Sequence, residues 1–420
     1  MEKALLVTVE FFDREYKNTW KLDDVNFELK ELVKSAGLQV AGLVECFKAA
    51  PMAAHYIGKG KAEEIGLICR DKGVDVVIFG DDLSSTQQQN LEEIINVKVI
   101  DRTQLILDIF AARAHSIEGK VQVELAQLQY LLPRLKGKGI MLSRLGGGIG
   151  TRGPGEQKLE MDRRKIREKI TRLKDELEKI RGRREELRRK RHESDLAIVS
   201  IIGYTNAGKS TLLNALTDSD VITQDRLFST LDPTARRFVL PNNQKVVFVD
   251  TVGFLHNLPH HLIEAFKATL EEVVEADILI HILDASSPMV RELSQAVHEV
   301  LDELGVHDKP IVIVLNKIDK VPDKSEIDRL RREFENSIAV SALHKQNLGE
   351  LVRRISMILF ASLVYVKALI PQSEGKLLNR IYREASIISR EFKGDNVYLE
   401  ADMPARLKNL LDKKGFCAKL

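Results

Sequence analysis

Eight consecutive residues, Gly203-Tyr204-Thr205-Asn206-Ala207-Gly208-Lys209-Ser210, constrain this chain more than any other stretch. The apolar run Leu196 to Ile202 before them reads as a buried parallel strand, and Thr211-Leu212-Leu213-Asn214-Ala215-Leu216 after them reads as the start of a helix. Two glycines with four residues between them, followed by Lys and Ser, at a strand-to-helix turn form the setting of a phosphate-binding loop. Gly203 and Gly208 let backbone N–H groups turn inward, and the helix N-terminus adds partial positive charge. Lys209 would reach the β- and γ-phosphates, and the Ser210 hydroxyl would ligate Mg²⁺. A glycine-rich turn that binds nothing is the competing reading, and the flanking strand and helix argue against it.

The loop by itself says nucleoside triphosphate. Asn316-Lys317-Ile318-Asp319, closing the apolar strand Ile311 to Leu315, says which one. The Asp319 carboxylate can accept both N1–H and N2–H of guanine, a paired contact that adenine cannot supply, and a site built on such contacts rejects the analogue that lacks them. Ser341-Ala342-Leu343, after a further short strand, would support the base through backbone N–H groups. The order of these tetrapeptides on successive strands points to GTP.

Two switch elements lie between the loop and the base site. Val246 to Val249 is a strand ending in Asp250-Thr251-Val252-Gly253, where Asp250 is expected to hold Mg²⁺ through water and the Gly253 N–H to bond the γ-phosphate. Arg236 to Leu240 pairs with that strand through Pro241-Asn242-Asn243-Gln244, a connection so short that it forces an antiparallel hairpin and a Ras-like sheet. Upstream, Leu227-Phe228-Ser229-Thr230-Leu231-Asp232-Pro233-Thr234 is the first switch, with Thr230 as the second Mg²⁺ hydroxyl and Thr234 the runner-up. The catalytic set is then Lys209, Thr230 and Gly253, and the metal set Ser210, Thr230 and Asp250.

The elements at 203–210, 228–234, 250–254, 316–319 and 341–343 resemble the Obg/HflX branch of translation-factor-related GTPases. The chain is similar to the HflX family over nearly its whole length, including Ile57-Gly58-Lys59-Gly60-Lys61. The run Gly146-Gly147-Gly148-Ile149-Gly150-Thr151-Arg152-Gly153-Pro154-Gly155-Glu156, continuing into Leu159 to Arg164, is that family's most distinctive signature. The resemblance implies binding to the large ribosomal subunit and its RNA and splitting or rescue of ribosomes under stress, while Phe254, which cannot orient water, predicts GTP hydrolysis that is slow in the isolated chain and stimulated by the ribosome. The resemblance also implies a K⁺ ion beside Asn206, where related GTPases hold one against the phosphates. Where Ras-like enzymes place a water-orienting Gln, this chain has Phe254, with His256 two residues on and no evident arginine finger. A ribosome-assembly GTPase, a GTP-regulated protein- or membrane-binding switch, and ATP-fuelled RNA remodelling are the alternatives, the last without a second nucleotide motif.

With 420 residues the chain has room for about three domains. A formal net charge of +2 carries no global signal for nucleic acid, so any such signal is local. Cys46, Cys69 and Cys417 show no metal-ligand spacing and cannot all pair, which fits a reducing cytoplasmic setting. Charged residues among the first apolar ones argue against a signal peptide. Ile355 to Val366 is too short to span a bilayer and reads as the buried closing helix of the GTPase domain, with weak peripheral membrane contact as the other reading.

The expected fold is α/β in four stretches. Residues 1–101 alternate strand and helix patterns and form an N-terminal α/β domain with a parallel sheet. There Gly58 to Lys61 enters a helix, as an anion site or as an ordinary turn. Residues 102–193 form an antiparallel helical hairpin, with Val121, Leu125, Leu128, Leu132 and Leu135 facing Ile166, Ile170, Leu173, Leu177 and Ile180 and a glycine-rich tip at 146–155. Its second helix carries Arg181, Arg183, Arg184, Arg188, Arg189, Lys190 and Arg191, either an RNA-phosphate surface or a solvated face. Residues 194–362 form the Ras-like P-loop GTPase domain, and 363–420 a small α+β C-terminal domain. A monomer is expected.

Overall fold

Strand and helix periods alternate from the first residues onward, and the fold follows them. The computed structural model describes residues 2–13, 20–135, 154–193, 196–217, 234–242, 244–255, 270–361 and 363–417. Strands β1 (Lys3–Phe11), β2 (Gln39–Lys48), β3 (Val76–Phe79) and β4 (Lys98–Ile100) form a parallel sheet in the order β2-β1-β3-β4. Helices α1 (Leu22–Ser35), α2 (Lys59–Lys72), α3 (Ser85–Ile95) and α4 (Arg102–Arg113) cover it. Side chains alternate between the faces of a strand, so Ala4 and Leu6 pack with α1 and α4 while Leu5 and Val7 pack with α2 and α3. Burial on both faces is why β1 reads as an unbroken apolar run. Helix α3 begins with a reciprocal cap: Gln87 N donates to Ser84 Oγ (3.2 Å) and Ser84 N to Gln87 Oε1 (2.9 Å).

The hairpin expected over 102–193 starts later. Residues 102–113 are α4, whose Leu105, Ile106, Ile109 and Phe110 are buried under the sheet. An apolar arc that wide needs a sheet to cover it, not one partner helix. The hairpin proper pairs α5 (Ile117–Arg134) with α6 (Pro154–Glu193). Val121 and Leu125 bury against Leu173, with Leu128, Ile170 and Leu177 alongside. The other side of α5 sends Val123, Ala126 and Tyr130 into the N-terminal core. The glycine-rich segment 146–153 and the side chains of Arg183, Arg184, Arg188, Arg189, Lys190 and Arg191 lie outside the described residues. Arg181 is described, with Nε 3.4 Å from Glu271 Oε1 of the GTPase domain.

The second sheet combines β5 (Ala197–Gly203), β6 (Thr234–Val239), β7 (Lys245–Asp250), β8 (Ile278–Asp284), β9 (Ile311–Asn316) and β10 (Ile338–Ala339), in the order β10-β9-β8-β5-β7-β6. β6 runs antiparallel to β7 and the other pairs are parallel, which is the expected Ras-like arrangement. Around it lie α7 (Lys209–Thr217), α8 (Val290–Glu303), α9 (Lys324–Glu333) and α10 (Leu348–Ala361).

The stretch from Ile355 to Val366 is divided between two elements. Helix α10 ends at Ala361, and β11 (Leu363–Pro371) begins the C-terminal sheet, with Val366 buried and Tyr365 exposed as a strand requires. Helix α11 (Gly375–Glu384), β12 (Ser386–Lys393), β13 (Asn396–Pro404) and α12 (Ala405–Lys414) follow, with sheet order β11-β13-β12. Beyond α12, an isolated antiparallel bridge joins Cys417 to Ala368 of β11. Among the described residues no helix is long and apolar enough to cross a membrane.

Candidate functional site

Strand β5 sits between β8 and β7, so its carboxyl end opens at the middle of the sheet edge, where α/β proteins bind ligands. The turn from Gly203 to Gly208 leads directly into α7. Gly208 has φ +99°, and a Cβ there would lie 2.3 Å from Asn316 Nδ2. No side chain fits, and the backbone is left to face a phosphate. Lys209 Nζ donates to the carbonyls of Gly203 (3.2 Å) and Tyr204 (2.9 Å), curling the loop around its own ammonium. Burial pushes that ammonium down to about 8; Asp250 opposes the shift and Lys317 adds to it.

Ser210 Oγ donates to Asp250 Oδ2 at 2.5 Å, and Asp250 is fully buried at the end of β7. A hydroxyl and a carboxylate, both hard oxygen donors, fit Mg²⁺, with phosphate and water supplying the remaining ligands. The Thr205 hydroxyl is buried in the same loop with no hydrogen-bond partner among the described residues. Thr251 Oγ1 donates to Ile201 O (2.7 Å), tying the second switch to β5. Gly253 follows so closely that a Cβ on it would meet Thr205 Cγ2 at 2.7 Å and Lys209 Nζ at 2.9 Å. Phe254 N then donates to Gly203 O, and Thr205 N to Phe254 O, both at 3.1 Å. The Phe254 ring is buried against Ile198, Ile202, Val247 and Val249.

The expected base site lies on the other side of the loop. Asn316 Nδ2 donates to Ala207 O (2.9 Å) and its Oδ1 accepts from Ala342 N (3.0 Å), joining the phosphate loop to the 341–343 turn. Ser341 Oγ donates to Asp319 Oδ1 at 2.5 Å, which aims the carboxylate expected to read guanine. Residues 203–211, 250–253, 316–319 and 341–343 therefore converge, although Leu343 itself is largely exposed. Phe228, Ser229, Thr230, Leu231 and Asp232 lie outside the described residues, as does His256; Thr234 opens β6 opposite Asp250. At the other expected anion site, Lys61 pairs with Glu64 (2.8 Å) and Lys59 lies 3.9 Å from Glu63, so the lysines are engaged on their own helix as an ordinary turn would have them.

Some contributions to this region were not read from the sequence. Tyr204, Val252, Leu255 and Met289 belong to the same buried cluster as Trp20, Leu29 and Leu32 of the N-terminal part. Glu28 reaches Tyr204, and Asp284 reaches Lys317. Asp284 ends a strand at the ligand-binding edge of the sheet, a signal that could have singled it out; nothing local marks Glu28.

Three family models match the chain: GTP-binding GTPase N-terminal over residues 24–111, GTP-binding GTPase Middle Region over 113–191, and 50S ribosome-binding GTPase over 198–317. The GTPase HflX of Caldanaerobacter subterraneus subsp. tengcongensis is 46% identical over 387 residues, 91% of this chain and 88% of that protein. The GTPase HflX of Escherichia coli K12 is 40% identical over 405 residues, 96% of this chain and 94% of that protein. A solved GTP-binding protein from Sulfolobus solfataricus in complex with GDP is 28% identical, covering 85% of this chain and 98% of that one, with a TM-score of 0.45.

Proposed function

This chain belongs to the HflX family of GTPases and is a GTP hydrolase, and from that premise we propose that it binds the large ribosomal subunit and splits or rescues ribosomes by GTP-dependent docking. The observation that carries the reading is the match of residues 198–317 to a family described as a 50S ribosome-binding GTPase. The long α6, with its basic run, supplies an arm of the right kind for RNA phosphates. A cytoplasmic monomer suits this reading, and the free thiols of Cys46, Cys69 and Cys417 are compatible with it.

In this reading the phosphate-loop N–H groups and Lys209 hold the β- and γ-phosphates, and Asp319 reads the guanine edge. Ser210 and Thr230, with Asp250 through water, would hold Mg²⁺, which would neutralise charge on the phosphate oxygens. Water oxygen forms a bond to the γ-phosphorus while the bond to the β–γ bridging oxygen breaks; GDP leaves with that electron pair, and the water's protons pass to phosphate and solvent. The Gly253 N–H reads the γ-phosphate and is released with it. Because Val252 and Leu255 flank Gly253 and pack with Trp20 and Leu29, that release would be felt in the N-terminal part. Phe254 neither donates nor accepts through its side chain, so hydrolysis is slow until the ribosome completes the site. K⁺ beside Asn206 would offset the developing charge an arginine finger otherwise meets.

The test is co-sedimentation with 50S and 70S ribosomes in GTP, GDP and a non-hydrolysable analogue, for the full chain and for a variant lacking 146–155. Binding and splitting in the GTP states, lost on deletion while GTP affinity persists, support the proposal. Equal, weak sedimentation in every nucleotide state would reject it.

A further inference from the structure

The base loop has a third anchor besides Asn316 and Asp319. Lys317 adopts φ +61°, a left-handed conformation that a side chain tolerates only when its surroundings hold it there. Its Cε lies 4.0 Å from where a Cβ on Gly208 would stand, so its stem runs beside the phosphate loop. Its ammonium ends 2.8 Å from Asp284 Oδ2, and both side chains are less than one-fifth exposed, at 16% and 19%. The other oxygen, Asp284 Oδ1, accepts from Ser286 N (3.0 Å) and Ser286 Oγ (2.6 Å). The carboxylate is thus oriented by its own turn. In addition, Ala285 N donates to Asn316 O at 2.8 Å, so backbone and side chain of the β8 end brace the same loop.

We propose that Asp284 is a positioning residue for the guanine nucleotide: it fixes the Lys317 side chain along the phosphate loop and compensates its charge. The proposal rests on the reading that Asn316 to Asp319 holds the base. The ion pair holds Lys317 beside the phosphate loop before a nucleotide arrives. A free Lys317 would instead have to be ordered each time a nucleotide binds, at a cost in side-chain entropy.

Asp284→Asn keeps the shape and can still accept from the Ser286 N–H, but it removes the ion pair. It should raise Kd for GDP and GTP about tenfold, the loss expected for a hydrogen bond between charged groups. The turnover number at saturating GTP should stay within about twofold, because Asp284 touches no reacting atom. Asp284→Glu should recover part of the affinity. Lys317→Met should weaken binding similarly, and Asp284→Asn combined with Lys317→Met should bind no worse than Lys317→Met alone. Wild-type affinity in Asp284→Asn, or losses that add in the double variant, would overturn the proposal. Asp319→Asn, titrated with GDP and XDP alongside, separates the two readings. If it keeps the wild-type preference for guanine, the base-site reading falls; if it shifts to xanthine while Asp284→Asn binds normally, the Asp284 role alone falls.

Discussion

Tyr204, the second residue of the phosphate loop, donates its hydroxyl hydrogen bond to Glu28 Oε1, 176 positions earlier in the chain. Arg102 Nη2 reaches both oxygens of the same carboxylate, at 3.2 and 3.1 Å, and all three side chains are buried. The Tyr204 ring lies 6.2 Å from that of Trp20, so a polar link and an apolar contact join the nucleotide loop to the N-terminal part at one place. The phosphate loop is thereby packed directly on the N-terminal α/β layer.

Tyr204→Phe keeps the ring and leaves Glu28 with Arg102, so its cost should be about 1 kcal/mol. Glu28→Ala removes the carboxylate that compensates a buried guanidinium and should cost about 3–5 kcal/mol. Trp20 is the chain's single tryptophan, so urea unfolding followed by its fluorescence reads this junction directly. Equal losses in the two variants would mean that the Arg102–Glu28 pair contributes nothing beyond the tyrosine bond.

Nucleotide affinity should depend on pH through Lys209. Burial lowers its proton affinity to about 8, so above that pH the free protein presents a neutral amine to the phosphates. Apparent Kd for GDP should then rise about tenfold per pH unit beyond pH 8, with a proton taken up on binding. Calorimetry in buffers of different ionisation enthalpy measures that uptake. A flat Kd from pH 7 to 9.5 would contradict it.

His281, fully buried on β8, makes a second pH dependence. Its ring nitrogens have no hydrogen-bond partner among the described residues, and it meets the His298 ring edge to face at 5.3 Å. Burial, with the His298 and Lys209 charges adding, pushes it down to about 3. The folded state holds it neutral while the unfolded chain protonates near pH 6.5, so its contribution is complete above 6.5 and is lost as pH falls towards 3. Between pH 6.5 and 5 that loss is about 2 kcal/mol. His281→Phe should flatten this part of the stability profile, as measured by denaturant midpoints at several pH values.

Replacing Phe254 by Gln should not restore Ras-like hydrolysis. The ring is 3% exposed inside an apolar cluster, and an amide placed there loses packing and is left without partners. The expected cost is about 3 kcal/mol of stability. Single-turnover hydrolysis in K⁺ and Na⁺ buffers, with and without ribosomal subunits, should show weak intrinsic rates, a ribosome-dependent increase and a K⁺ preference lost in Asn206→Ala. A rate gain in Phe254→Gln alone would show that the missing amide is what limits turnover.

Much of this fold was legible because it depends on short-range pattern. The phosphate loop needs its glycines where a Cβ cannot fit, the hairpin before Asp250 follows from a connection too short for anything else, and buried parallel strands read as unbroken apolar runs. The tetrapeptide Asn316 to Asp319 and the turn at 341–343 were visible for the same reason, since each lies within a few residues of a strand end. Helix α4 was not, because an apolar helix looks alike whether it covers a sheet or a partner helix. The division at Ala361 was missed since an apolar run does not by itself distinguish a helix end from a strand start. Above all, sequence could not pair Glu28 with Tyr204 or Asp284 with Lys317. Such ion pairs and hydrogen bonds join side chains from distant elements, with no periodicity to announce them, and chain packing alone brings them together.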